Sequence, residues 1–288
     1  MRLCTVHVAG RDRLGIVRDD KIHLVPEGPA LPATTTELIE GGPEALARVG
    51  EASGGEVMAW ADADLRAPLR PPRNLFCVGK NYVDHAAEFH GSGFDGSAST
   101  VPEHPVFFTK ATTSVIGPGE QVRSALDPTG TVDYEGEVAV VIGRGGTGIA
   151  EADALDHVFG YTLVNDVTAR ELQRRHGQWF LGKSPDTFCP MGPVVVTADE
   201  VPDVAALRLE VIVNDEVRQQ APLADLIFGI PELIATLSRS MTLLPGDVIA
   251  TGTPAGVGIG MDPPRYLVPG DVVTVSVAGI GTLRSPIG

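Results

Sequence analysis

The run Val132-Asp-Tyr-Glu-Gly-Glu-Val-Ala-Val-Val-Ile142 decides how this chain is read. Side chains on a strand alternate faces, so Val138, Val140 and Ile142 line one side and Glu135 and Glu137 the other. By strand rise the two glutamates stand roughly 7 Å apart. Carboxylates so placed repel each other unless a cation or a proton lies between them. The spacing therefore predicts a strand over Thr131 to Ile142 with chemistry on one face.

Downstream, Tyr161 to Asn165 reads as another strand, and Asp166 stands between it and a helix over Val167 to Arg175. Glu135, Glu137 and Asp166, with no His or Cys nearby, make an oxygen-donor set. Hard cations such as Mg2+, Mn2+ or Ca2+ prefer such sets. Asp133 shares the face of Glu135, and alternation leaves it open as a further ligand. The plainer reading of the same residues is a solvated acidic face and a helix-capping aspartate.

Upstream, Asn81-Tyr-Val-Asp-His-Ala-Ala-Glu88 places His85 and Glu88 on one face of a helix that Asn81 is positioned to cap. A carboxylate beside an imidazole holds its tautomer and raises its basicity, as a general base requires. The bland alternative is an exposed pair of little consequence. The Gly/Ser-rich stretch Gly91 to Thr100 follows, and a short helix beside a mobile loop suits a lid.

Past Asp166, Arg170 and Gln173 share a helical face, where an arginine can clamp a substrate carboxylate or simply meet solvent. Lys183, in Gly182-Lys-Ser184, is a cation suited to developing enolate charge. Thr251-Gly-Thr-Pro-Ala-Gly-Val-Gly258 is a Gly-rich loop whose Thr253 and amides either receive an oxyanion or form a tight turn. The chain contains no serine-hydrolase G-x-S-x-G element and no dinucleotide-binding G-x-G-x-x-G in a strand–helix setting.

The whole chain sets the frame. Its 288 residues are 43% hydrophobic and 20% charged, and its formal net charge of −15 makes nucleic acid and anionic membranes poor partners. Cys4, Cys77 and Cys189 are odd in number and far apart, which disfavours a disulfide framework. No apolar run reaches membrane-spanning length, and the first residues alternate without a signal-peptide core. A cytoplasmic protein is expected. Abundant, scattered Gly and Pro punctuate many short segments, giving an α+β, β-rich expectation. Residues 1–70 read as a small N-terminal unit whose helix over Thr36 to Val49 is interrupted at Gly41-Gly42-Pro43. Pro68 to Pro72 reads as a linker, and residues 71–288 as one larger catalytic domain.

Taken together and in order, the segments resemble the fumarylacetoacetate hydrolase family. They are Val78 to Glu88, Phe107-Phe-Thr-Lys110, Asp133-Tyr-Glu-Gly-Glu137, Asn165 to Arg170, Trp179 to Ser184 and Thr251 to Val257. The resemblance covers about residues 73 to 280. It implies a mixed β-roll or β-sandwich catalytic core, usually in a homodimer. It implies that Glu135, Glu137 and Asp166 bind Mg2+ or Mn2+, that Lys183 polarises substrate, and that Arg170, Gln173 and Thr253 line the site. His85 and Glu88 match the dyad of the acylpyruvase and oxaloacetate decarboxylase branch. The expected activity is hydrolysis of C–C bonds in acylpyruvate-type 2-oxo acids, with decarboxylation of oxaloacetate alongside it. The alternatives are an isomerase or hydratase of hydroxymuconate-type diacids and a non-catalytic binding subunit. Pro185, where many relatives have Phe, and the insertion after His90 depart from the family pattern and bear on pocket shape and lid motion.

Overall fold

The computed structural model describes residues 1–52, 54–94 and 99–288. Much of the chain joins one large sheet, with strands in the spatial order Val57–Ala59, Lys21–Leu24, Arg11–Arg18, Arg2–Val8, Cys189–Thr197, Val158–Asn165, Gly136–Ile142, Val248–Ala250, Leu75–Gly79 and Val106–Lys110. Neighbours along this path are antiparallel except Val248–Ala250 and Leu75–Gly79, which run parallel. The N-terminal strand Arg2–Val8 pairs directly with Cys189–Thr197, so the first residues extend the sheet that carries the carboxylates. The helical stretch there divides at Gly41 into Thr35–Glu40 and Gly42–Glu51.

A second, four-stranded antiparallel sheet (Glu216–Pro222, Arg208–Val213, Val272–Val277, Gly281–Pro286) lies against the first. Val138, Val140 and Ile142 join Val211, Val275 and Leu283 in the core between them. Ala139 and Val141, on the opposite face, pack with Leu75, Cys77 and Cys189 in a separate cluster. The strand Gly136–Ile142 is thus buried on both sides, and its one charged residue, Glu137, must find partners inside the protein. The sheets approach closely at Gly136: a Cβ there would stand 2.3 Å from Val211. The molecule is a mixed, strand-rich α+β fold. Among the described residues, no helix is long and apolar enough to cross a membrane.

The strand expected over Thr131 to Ile142 is two pieces, Val132–Asp133 and Gly136–Ile142, broken at Tyr134 and Glu135. Side-chain bonding explains the break. Glu135 N donates to the Asn165 side chain and Glu135 O accepts from Asp166 N. The chain before the break pairs instead with Thr168–Ala169, so the following helix starts later than expected, at Arg170. Asn81 is not the cap of the next helix, Val83–Gly91, whose N-cap residue is Tyr82. Its buried amide instead donates to Phe228 O and Thr251 O and accepts from Phe228 N, pinning the root of that helix to two distant loops. Residues 95–98 of the expected loop lie outside the described residues.

Candidate active site

Three segments bring the carboxylates together. Glu135 sits in the strand break, Glu137 one residue into Gly136–Ile142, and Asp166 immediately after Val158–Asn165. One oxygen from each lies within 4.8 Å of the others, and all three residues are buried. Asp133 is outside this group.

Positive charge is built around the cluster. Lys183 Nζ donates to Glu135 Oε2 and to Asp166 Oδ2, at 2.8 Å each. Lys183 ends the short helix Phe180–Lys183, which packs on Arg170–Arg175 through Gly182; a Cβ there would lie 2.4 Å from Gln173 N. Lys110 Nζ donates to Asp166 Oδ1 at 2.6 Å and to Val167 O at 3.0 Å. Arg170 Nη1 lies 2.7 Å from Glu135 Oε1, while its Nε donates to Asp133 Oδ2 at 2.9 Å. Its guanidinium is therefore committed to two carboxylates of the protein, and it buttresses Glu135.

The protonation states follow from these placements. Burial pushes the Glu135 carboxyl up, but Lys183, Arg170 and His85 outweigh it and hold it at about 2. Glu137 goes the other way: burial raises it well above its ordinary value, and the charges of Asp166 and Glu135 add to the effect. Burial lowers Lys183, yet Asp166 and Glu135 raise it further than burial lowers it. The cluster as a whole is short of positive charge at Glu137. All of its donors are hard oxygens, and this set fits a divalent cation of the Mg2+ or Mn2+ type.

Above the cluster stands the helix Val83–Gly91. His85 Nδ1 lies 3.3 Å from Glu88 Oε2. His85, Glu135, Arg170, Gln173, Lys183 and Lys80 line one narrow cleft, with Phe89, Phe108 and Trp179 among its walls. Trp179 meets Phe89 and Phe108 edge-on at 6.0 and 5.3 Å. It also presses on Gly79, where a Cβ would stand 2.4 Å from the indole.

The Gly-rich loop is occupied by the protein's own carboxylates. Gly252 N donates to Glu137, Gly256 N to Glu88, and Gly258 N and Ile259 N to Asp133. The Thr253 hydroxyl donates to Gly136 O and accepts from Gln219, which places it one layer behind the cleft. Sequence reasoning missed the bracing roles of Lys110 and Gln219. Lys110 stood in a segment that carried the resemblance, but its partner lies 56 residues away, and Gln219 carries no local signal, its partners lying 34 or more residues away.

The fold and site define a strand-rich α+β enzyme with a buried carboxylate triad beneath a short helix. The chain belongs to the fumarylacetoacetate hydrolase family: residues 74–288 match the family model described as fumarylacetoacetate (FAA) hydrolase C-terminal. It is 51% identical over 236 residues to oxaloacetate tautomerase YisK of Bacillus subtilis (strain 168), covering 82% of this chain and 76% of that one. A fumarylacetoacetate hydrolase from psychrophilic Exiguobacterium antarcticum matches with a TM-score of 0.86 at 41% identity, over 100% of this chain and 99% of that one. Maleylpyruvate hydrolase from Sphingobium sp. SYK-6, solved with manganese(II) ion and pyruvate, matches with a TM-score of 0.77 at 31% identity, over 100% and 98%. Family membership and the intact triad set aside the non-catalytic alternative.

Proposed function

We propose that this enzyme binds Mg2+ or Mn2+ and acts on small 2-oxo acids at the carbon beside the oxo group, with oxaloacetate tautomerisation as its first activity. The observation that carries the reading is that one small cleft is lined both by His85, with Glu88 behind it, and by Glu135 of the triad. The likeness to an oxaloacetate tautomerase supports this choice of substrate.

Glu135, Glu137 and Asp166 would hold the cation. When bound, it supplies Lewis acidity that polarises a 2-oxo carbonyl. Lys183, braced on Glu135 and Asp166, adds fixed positive charge on the same side of the cleft. The Nδ1 edge of His85 faces Glu88, so Nε2 is the atom left to take a proton from the substrate carbon and return it. Phe89, Phe108 and Trp179 exclude water from that exchange. Gln173, facing the cleft, offers an amide to the substrate carboxylate.

The likeness to a maleylpyruvate hydrolase supports a second reading, C–C cleavage of acylpyruvates. There His85 Nε2 takes its proton from water. Incubation in D2O separates the two: oxaloacetate should gain deuterium at its methylene carbon, and an acylpyruvate should release pyruvate and a carboxylic acid. Both activities should vanish on chelation and return with Mn2+. No turnover of either substrate by the Mn2+-loaded enzyme would end the proposal.

A further inference from the structure

We infer that Asp133 is a positioning residue that couples the carboxylate triad to the seat on which the helix Val83–Gly91 closes. The inference rests on the reading that the triad holds a divalent cation.

Asp133 is fully buried and meets four donors. Its Oδ1 accepts from Gly258 N at 2.7 Å and from Tyr134 N at 2.9 Å. Its Oδ2 accepts from Ile259 N at 3.0 Å and from Arg170 Nε at 2.9 Å. One carboxylate thus grips the segment Gly258–Gly260 on one side and, through Arg170, the ligand candidate Glu135 on the other.

The gripped segment receives the lid. Glu88 takes the amide of Gly256 on both of its oxygens, at 3.0 and 3.2 Å. The Glu88 stem lies flat on Gly260, where a Cβ would be 2.0 Å from its Cγ. Gly258 is bare because a Cβ there would stand 2.3 Å from Arg265 O and 2.6 Å from Asp133 Oδ1. Gly256 has φ +106, a backbone region side chains rarely adopt, and Tyr134 Oη donates to its carbonyl at 2.7 Å. In the run Gly256-Val-Gly-Ile-Gly260, the three glycines therefore make room for Arg218 O, for Arg265 O with Asp133, and for Glu88 in order. Arg170 also lies under the lid directly, 5.9 Å from the centre of the Phe89 ring.

A cation that draws Glu135 toward itself changes the load on Arg170, hence on Asp133, hence on the seat of Glu88. Linkage requires the converse as well: a docked lid must favour the loaded triad by the same factor.

Amide hydrogen exchange in Val83–Gly91 of the full chain, with and without saturating Mn2+, measures the coupling. In the wild-type protein Mn2+ should slow lid exchange on the order of 10-fold. Asp133→Asn should still bind Mn2+ by calorimetry, with the slowing lost. Gly260→Ala, which leaves Asp133 in place and blocks the seat, should exchange fast in the lid with or without Mn2+. If Asp133→Asn does not fold, Arg170→Lys carries the same test. Retained slowing in a folded Asp133→Asn (or Arg170→Lys) variant overturns the inference alone, as does wild-type Mn2+ binding without a lid response. Failure of the wild-type protein to bind Mn2+ overturns both the inference and the reading beneath it.

Discussion

Lys110 reaches from the end of its strand to within 2.6 Å of Asp166, and both side chains are fully buried. Removing one partner of a buried pair costs about 3–5 kcal/mol when the other charge is left alone. Lys183 still holds Asp166 when Lys110 is gone, so Lys110→Met in metal-free protein should lose less, about 1–3 kcal/mol. Saturating Mn2+ should restore part of the loss by supplying positive charge to the same carboxylate. Chemical denaturation with EDTA and with Mn2+ gives both numbers.

Glu135 and Glu137 should respond differently to substitution. Glu135 is a partner of both Arg170 and Lys183, so Glu135→Ala leaves each buried cation with one carboxylate, Asp133 or Asp166, and should lose up to about 3 kcal/mol of stability. Glu137 is pushed up by burial and by its acidic neighbours. Glu137→Gln keeps an oxygen for Gly252 N and removes the repulsion. At pH 7, without metal, it should be at least as stable as wild type, while its Mn2+ affinity falls more than ~100-fold. Calorimetric titration beside thermal melts separates the two effects.

His85→Ala should lower kcat by roughly 10²- to 10⁴-fold, the usual worth of a positioned proton-transfer group. Mn2+ affinity should hold, because His85 is not among the clustered donors. Glu88→Gln should also lower kcat. Equal loss of metal binding in His85→Ala would show that the residue acts structurally.

Asp127 supplies a pH dependence outside the site. Burial raises its carboxyl, but hydrogen bonds from Thr129 and Thr131 outweigh burial and hold it below the usual 3.8. A depressed carboxyl contributes stability that is full above 3.8 and is lost as pH falls through its own lower value. Thr131 in turn accepts from Glu171 N, at the start of the helix that carries Arg170. Asp127→Asn should lower Tm at neutral pH and flatten the acid limb of Tm against pH below about 4. An acid limb identical to wild type would exclude Asp127 as its source.

The triad was legible because its signal is local: alternation separates Glu137 from Val138 and Val140, and carboxylates without soft neighbours indicate oxygen ligation. The His85–Glu88 pair was legible for the same reason, a helical spacing of three. Asn81 was misread because a helix start offers a polar residue an obvious partner, whereas its real partners come from loops near Phe228 and Thr251. Arg170 was placed at the site by the helical face it shares with Gln173 beyond Asp166, and it lines the cleft. Its bonds to Asp133 and Glu135 depend on the strand break, which the Asn165 side chain and the Asp166 amide hold. The glycines from 256 to 260 announced a loop but not which atom each one makes room for.

The ammonium of Lys183, shared between two acids, has a consequence for how the enzyme is made. A nascent chain whose acidic groups repelled one another would have to capture an ion in order to fold. On the proposed reading of the triad as a cation site, the internal counter-charge should let the polypeptide reach its native shape first and acquire its ion afterwards. The protein should survive stripping with a chelator and accept a fresh ion of either kind, its loading following the supply in its surroundings.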